Sequence, residues 1–357
     1  MINVTRTYLP PLEQYEKYLR ELWDNRWVTN NGKFVQQLEA DIKNYLGVKH
    51  FFYCTNGTVV LQMAIKALKL KGKIITTPFS YVATVNSILW EQCEPVFMDV
   101  KASDCCIDEA LIEKNITADT SAILATHVYG NPCHVEAIKK IADRHNLKVI
   151  YDGAHAFGTT LDGKQLLSYG DVSTCSFHAT KLFHTIEGGG IMTNDDEVAR
   201  QLYLFRQFGH VYDEYFSVGI NAKNSEFHAA MGLCLLPEVE KFIAKRTQAA
   251  QWYDEGLRGL NLEFPKSDLN IRFNNGYYPI VFESEKKLLE VVEALKQQEI
   301  IPRRYFYPSL NTLHFIRYQS CPVSESISTR VLCLPLFYEI TKQEVELISG
   351  VVKKAMQ

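Results

Sequence analysis

Val172-Ser173-Thr174-Cys175-Ser176-Phe177-His178-Ala179-Thr180-Lys181 begins as an apolar, strand-like run, passes into small and polar residues, and ends on a single lysine. Leu182 to Ile186 and Glu187-Gly188-Gly189-Gly190 follow, leading into Ile191-Met192-Thr193. Consecutive glycines let a backbone approach a ligand without Cβ clashes. Lysine forms Schiff bases with carbonyl compounds where its site lowers its pKa enough to free the amine. Upstream, Val149-Ile150-Tyr151 ends in Asp152, expected at the carboxyl end of a buried strand. A lysine and a carboxylate so placed are what an enzyme of pyridoxal phosphate (PLP) needs, the carboxylate lying against the pyridine nitrogen. Each residue also has an ordinary reading: a solvated surface lysine, and a turn or helix cap. The rest of the chain decides between them.

Working outward, short apolar runs alternate with helical patterns. His50 to Cys54 meets Thr55-Asn56-Gly57-Thr58, which opens a helix at Val59 to Leu68. The free N–H groups and dipole of such a helix start suit a phosphate; a plain N-cap is the competing reading. Strands are expected at Lys73 to Thr76, Pro95 to Asp99, Ala122 to Thr126, Lys148 to Asp152 and Val172 to Phe177. Helices are expected at Tyr81 to Trp90, Asp108 to Asn115 and His134 to His145. This alternation predicts a mostly parallel sheet flanked by helices, an α/β fold that binds ligands at strand carboxyl ends. Thr55–Thr58, Tyr81, Asp152 and Ser176–Lys181 all fall at such ends. Before the sheet, residues 11–25 and Phe34 to Tyr45 read as helices. After it come the helices Glu197 to Phe208 and Glu226 to Leu236, with a polar, irregular stretch from Tyr212 to Asn224 between them. A long helix, Val239 to Leu257, then leads into a smaller α+β domain holding Tyr277 to Phe282, the helix Lys286 to Gln298 and Arg330 to Pro335. The domains expected are residues 1–235, large and cofactor-binding, and 236–357, small and C-terminal.

Composition sets the outer bounds. The 357 residues are 46% hydrophobic and 22% charged with a net charge of −3, so no strong field favours nucleic acid or a membrane surface. The start lacks the apolar core of a signal peptide, and no run approaches the length of a membrane span. Nine cysteines without CxxC spacing argue against a disulfide framework, and ten histidines form no HExxH, so no metal is expected. The expectation is a soluble, cytoplasmic protein.

A set of ordered blocks gives the chain a resemblance. They are Asn31-Gly32, Leu38-Glu39, Asn56-Gly57-Thr58, Pro78 through Thr84, Pro95-Val96-Phe97-Met98-Asp99 and His127-Val128-Tyr129-Gly130. Tyr151-Asp152-Gly153-Ala154-His155, Ser176 through Lys181, Gly219-Ile220-Asn221 and Ala229-Ala230 follow. Together, over nearly the whole length, they resemble the sugar nucleotide aminotransferases of the DegT/DnrJ/EryC1/StrS type, PLP-dependent enzymes of fold-type I. The resemblance implies that Lys181 carries the cofactor, that Asp152 partners its ring nitrogen, and that Gly57, Thr58 and Ser176 hold its phosphate. It implies that Tyr81 stacks on the ring and that His155 lies near the 3-hydroxyl. Asn221 would reach the phosphate of a neighbouring subunit's cofactor in a homodimer. Glu187 and His178 would lie near the sugar.

The reaction implied moves an amino group from L-glutamate to a nucleotide-linked keto-deoxysugar, with Lys181 shuttling the proton. The forms His178-Ala179-Thr180-Lys181 and Glu187-Gly188-Gly189 resemble members that aminate C4 of dTDP-4-dehydro-6-deoxy-D-glucose, for surface polysaccharides. C3 amination of a dTDP-3-dehydro-6-deoxyhexose is the alternative. A related sugar dehydratase would carry histidine at Lys181, and a non-catalytic regulator would not need Lys181, Asp152, Ser176 and Tyr81 together.

Overall fold

The computed structural model describes residues 1–357. Its centre is a seven-stranded sheet formed by β1 (His50–Cys54), β2 (Lys73–Thr76), β3 (Glu94–Phe97), β4 (Thr120–Thr126), β5 (Lys148–Asp152), β6 (Val172–Ser176) and β7 (Gly189–Thr193). The spatial order is β1-β7-β6-β5-β4-β2-β3. All neighbouring pairs are parallel except those made by β7, which runs antiparallel to both β1 and β6.

Alternation along the strands explains the layers. Ile123, Ala125, Val149 and Tyr151 point into one core, while Ala122, Leu124 and Ile150 point into a second core on the opposite face. A sheet buried on both faces needs helices on both, and the connections supply them. The helices are α1 (Leu12–Asn25), α2 (Lys33–Leu46), α3 (Gly57–Ala67), α4 (Val82–Trp90), α5 (Val135–His145), α6 (Asp196–Arg206) and α7 (Glu226–Leu235). In α2, Phe34, Val35, Leu38, Ile42 and Leu46 form the buried stripe, and Gly47 ends the helix in the left-handed conformation. The amides of Phe34 and Val35 at its start donate to the buried carboxylate of Glu226 on α7, at 2.7 and 3.1 Å.

A third core lies around β8 (Tyr278–Val281) and β9 (Val331–Leu334), an antiparallel pair covered by α8 (Val239–Gly256), α9 (Glu285–Gln297) and α11 (Lys342–Met356). Between α9 and α11, α10 (Pro322–Arg330) leads into β9. This is the smaller α+β part expected from the sequence. The extreme N-terminal segment joins it: Ile2–Asn3 pairs in parallel with Ile300–Ile301. From there the chain crosses the segment that carries Lys181. Thr5 Oγ1 donates to the Thr180 carbonyl at 3.4 Å and Thr7 Oγ1 to the Ala179 carbonyl at 3.0 Å.

Two local expectations fail. Asp108 to Asn115 is two 3₁₀ turns, Glu109–Leu111 and Glu113–Asn115, because Leu111 and Ile112 supply too short an apolar stripe to anchor a helix. The stretch from Tyr212 to Asn224 is not simply polar and irregular. His210–Val211 and Glu214–Tyr215 make a small hairpin, and Tyr212, Tyr215, Phe216 and Val218 stand exposed on it. No helix in the fold is long and apolar enough to cross a membrane.

Candidate active site

Every parallel strand of the sheet ends on one edge, and the residues at those ends surround a cavity of about 350 Å³. That volume lies in the range of small-molecule sites. Asn56, Gly57 and Thr58 reach it from the start of α3, and Ser80 and Tyr81 from the start of α4. Asp152 and His155 come from the end of β5, Ser176 from the end of β6, and His178, Lys181 and Glu187 from beyond it. Nine of the ten residues singled out from the sequence therefore share one cleft. The tenth, Asn221, is exposed and does not line it.

Asp152 is the last residue of β5 and is buried. Its Oδ2 accepts from Thr84 Oγ1 at 2.7 Å and its Oδ1 from the Ala154 amide at 3.1 Å. Lys181 follows a tight turn after β6, its amide donating to the His178 carbonyl at 2.9 Å. Its Nζ donates to Tyr277 Oη at 2.9 Å. Opposing influences set the Lys181 pKa. Burial pulls it down, but Tyr277 and the Asp152 carboxylate outweigh burial and hold the ammonium above its usual range.

His155 Nδ1 accepts the Tyr129 amide at 3.1 Å, so the neutral ring carries its proton on Nε2. Burial, reinforced by the nearby Lys181 charge, keeps this imidazole well below the usual histidine range. At physiological pH His155 is thus a neutral N–H donor. His178 is held similarly: its Nδ1 accepts the Thr180 amide at 3.2 Å, and its Nε2 lies 3.5 Å from Glu187 Oε1. This imidazole–carboxylate pair gives the cleft both a donor and an acceptor for hydroxyl groups.

At the start of α3, Asn56 Oδ1 accepts the amides of Thr58 and Val59 at 3.0 and 2.9 Å. Thr58's amide is therefore committed, and its hydroxyl is what it offers to a ligand. A Cβ on Gly57 would come within 2.9 Å of Ser176 Cβ, so glycine keeps this helix start open beside the serine hydroxyl. The three consecutive glycines do something other than expected. A Cβ on Gly189 would strike the Asn56 carbonyl at 2.3 Å and one on Gly190 the Phe51 ring at 2.6 Å. They admit the neighbouring strand and the α3 start, not a ligand.

The chemistry of this donor set fits PLP. A helix start with two hydroxyls suits a phosphate, Asp152 a protonated ring nitrogen, His155 Nε2–H a phenolic oxygen, and Lys181 an aldehyde. Four further contributors escaped the sequence reading: Thr84, and from the C-terminal half Tyr277, Arg303 and Tyr305. Lys181 and Tyr277 are 96 positions apart, and no local pattern announces such a contact.

Residues 12–353 match the sequence model of the DegT/DnrJ/EryC1/StrS aminotransferase family. A dTDP-4-amino-4,6-dideoxy-D-glucose transaminase of Shigella dysenteriae is 40% identical, covering 99% of this chain and 98% of that protein. The Escherichia coli protein of the same description is 37% identical, covering 96% of each. Among solved structures, DesI, crystallised with its TDP-sugar product, superposes with a TM-score of 0.93 at 29% identity, covering 100% of this chain and 93% of that one. Helicobacter pylori PseC, an aminotransferase of pseudaminic acid biosynthesis, gives 0.91 at 26%, covering 99% of each chain.

Proposed function

The chain belongs to the DegT/DnrJ/EryC1/StrS aminotransferase family, and from that premise we propose that it aminates C4 of dTDP-4-dehydro-6-deoxy-D-glucose with L-glutamate as donor. The product is dTDP-4-amino-4,6-dideoxy-D-glucose. The protein is a PLP-dependent aminotransferase of fold-type I. One observation carries the reaction class: Lys181 and Asp152 face the same cavity as the His178–Glu187 pair. The two relatives at 40% and 37% identity support the sugar and the ring position, and favour C4 over C3.

When bound, PLP supplies an electron sink for the charge left as the α-proton departs. Asp152, ionised, keeps the ring nitrogen protonated, and Thr84 and Ala154 hold the carboxylate in place. Gly57, Thr58 and Ser176 would hold the phosphate, Tyr81 would cover the ring, and His155 would offer its Nε2–H to the phenolic oxygen. Lys181 Nζ takes the α-proton from the donor and later returns one to the carbon that becomes aminated. His178 and Glu187 bind sugar hydroxyls, His178 donating from Nε2, an orientation fixed by Thr180, and the Glu187 carboxylate accepting.

We take the working unit to be a homodimer. The hairpin before Asn221 exposes Tyr212 at 91% and Val218 at 81%, apolar area of the kind a second copy covers. Asn221, at its base and outside its own cleft, is then available to the partner's cofactor. Residues 1–235 serve as the large PLP-binding domain and 236–357 as the small one, supported by the separate core around β8 and β9. Nine free, buried cysteines agree with a cytoplasmic setting, where the product would feed lipopolysaccharide or O-antigen assembly.

Product analysis tests the reading. The protein, PLP and glutamate are incubated with dTDP-, GDP- and UDP-linked keto-sugars, and the products are assigned by NMR. An amine at C4 of the dTDP-glucose derivative is expected. Amination at C3, or turnover confined to another nucleotide, would overturn it.

A further inference from the structure

Along the wall of the cleft, three buried hydroxyls form a line that ends on Asp152. Thr126 Oγ1 lies 3.1 Å from Ser80 Oγ, Ser80 Oγ lies 2.7 Å from Thr84 Oγ1, and Thr84 Oγ1 lies 2.7 Å from Asp152 Oδ2. Each hydroxyl has one proton to give. An ionised Asp152 can only accept, so Thr84's proton goes to it. The Ser80–Thr84 bond must then run from Ser80, and Thr126 must donate to Ser80. The direction of the line is fixed by its terminus. We propose that Thr126, Ser80 and Thr84 are positioning residues that hold Asp152 ionised and oriented toward the ring nitrogen of the cofactor. The proposal rests on the role given to Asp152 above.

Hydroxyls that merely satisfied one another would not need a common direction, and any of them could end on a backbone carbonyl. Here the line draws on three elements: the end of β4, the turn before α4, and α4 itself. Hydrogen bonds aligned in this way polarise one another, so the last is stronger than an isolated one. Asp152 Oδ1 is served separately by the Ala154 amide, so the line fixes the second oxygen and with it the plane of the carboxylate.

The test compares Thr84→Val, which keeps the shape and removes the hydroxyl, with Thr84→Ser, which restores it. The remaining ionisable groups around Asp152 stay in place in both variants. These are Lys181 beyond β6, Cys175 within β6, His155 on the loop after β5, His127 after β4, and Tyr277, Arg303 and Tyr305 from the C-terminal half. In Thr84→Val the acid limb of the kcat–pH profile should move toward neutrality by about 1–2 pH units, the worth of one hydrogen bond to a charged group. The KM for the sugar should be unchanged. The pH titration of the bound cofactor's visible absorption, read without turnover, should move in parallel. Thr84→Ser should bring both back, and Ser80→Ala should give a smaller shift. If Thr84→Val does not fold, Ser80→Ala decides: a shift supports the line and a wild-type profile overturns it. Wild-type profile and spectrum in Thr84→Val, with Asp152→Asn impaired, would overturn the line while leaving Asp152 its role. Full activity in Asp152→Asn would instead remove the role on which the line depends.

Discussion

Replacing Tyr277 by phenylalanine should make Lys181 easier to deprotonate, by an amount that follows from the cleft. Lys181 Nζ donates to Tyr277 Oη at 2.9 Å and lies 5.6 Å from the centre of the same ring. Burial opposes the ammonium, Tyr277 and Asp152 favour it, and the balance holds it above the usual lysine range. Tyr277→Phe removes the hydroxyl and keeps the ring. A hydrogen bond to a charged group contributes ~1.5–3 kcal/mol, and each pH unit corresponds to ~1.4 kcal/mol, so the midpoint should fall by about 1–2 units. Below both midpoints, the fraction of free amine then rises about 10- to 100-fold. Only the free amine attacks a carbonyl, so the assay can read it directly. Cofactor-free protein is mixed with PLP across a pH series and quenched with borohydride at short times, and the label on Lys181 is counted by mass spectrometry. Non-covalent affinity is measured separately in the Lys181→Ala background, with and without Tyr277→Phe. An unchanged midpoint would refute the reasoning and leave Asp152 as the group that holds the ammonium.

Lys181→Ala should lose both the covalent link and the proton shuttle; turnover should fall by at least ~10²-fold while spectroscopic titration still shows cofactor binding. Mixing Lys181→Ala with Asn221→Ala subunits should restore activity above the sum of the two parents, because half the sites of a mixed dimer carry neither lesion. Proven subunit exchange without recovery would exclude shared sites. Glu39, which accepts from the buried Arg206 and from the Tyr53 amide at 2.7 Å, anchors α2 to the sheet. Glu39→Gln leaves that guanidinium without a counter-charge and should cost about 3 kcal/mol in urea unfolding of the cofactor-free protein; a loss near zero would show that Arg206 does not need the charge.

The sheet was legible because β4 and β5 are largely apolar runs bounded by polar or small residues, and β5 and β6 end where candidate site residues begin. Lys181 and Asp152 were legible for the same reason. What sequence could not supply was the company each residue keeps. Thr84 meets Asp152 across 68 positions and Tyr277 meets Lys181 across 96. Neither contact leaves a periodicity, a cap or a turn signal behind. The glycines at 188–190 show a subtler limit: glycine announces that something approaches closely, and the approaching group turned out to be the β1 side of the fold. At Tyr212 to Val218, turn-forming and polar residues masked an aromatic surface whose meaning depends on a second molecule.

The strand formed by Ile2 and Asn3 has a consequence for the order in which this protein comes into being. Its partner, Ile300–Ile301, is nearly the whole chain away. At ~5–20 residues per second on the ribosome, roughly 15–60 s separate the synthesis of the two. Throughout that interval the large sheet can form, yet the segment bearing Thr5 and Thr7 lacks the strand that would seat it against Ala179 and Thr180. This segment is thus made long before the strand that seats it. The contacts of Thr5 and Thr7 with the turn that presents Lys181 are seated only once the strand at Ile300–Ile301 has emerged, so translation is nearly complete before that brace is in place.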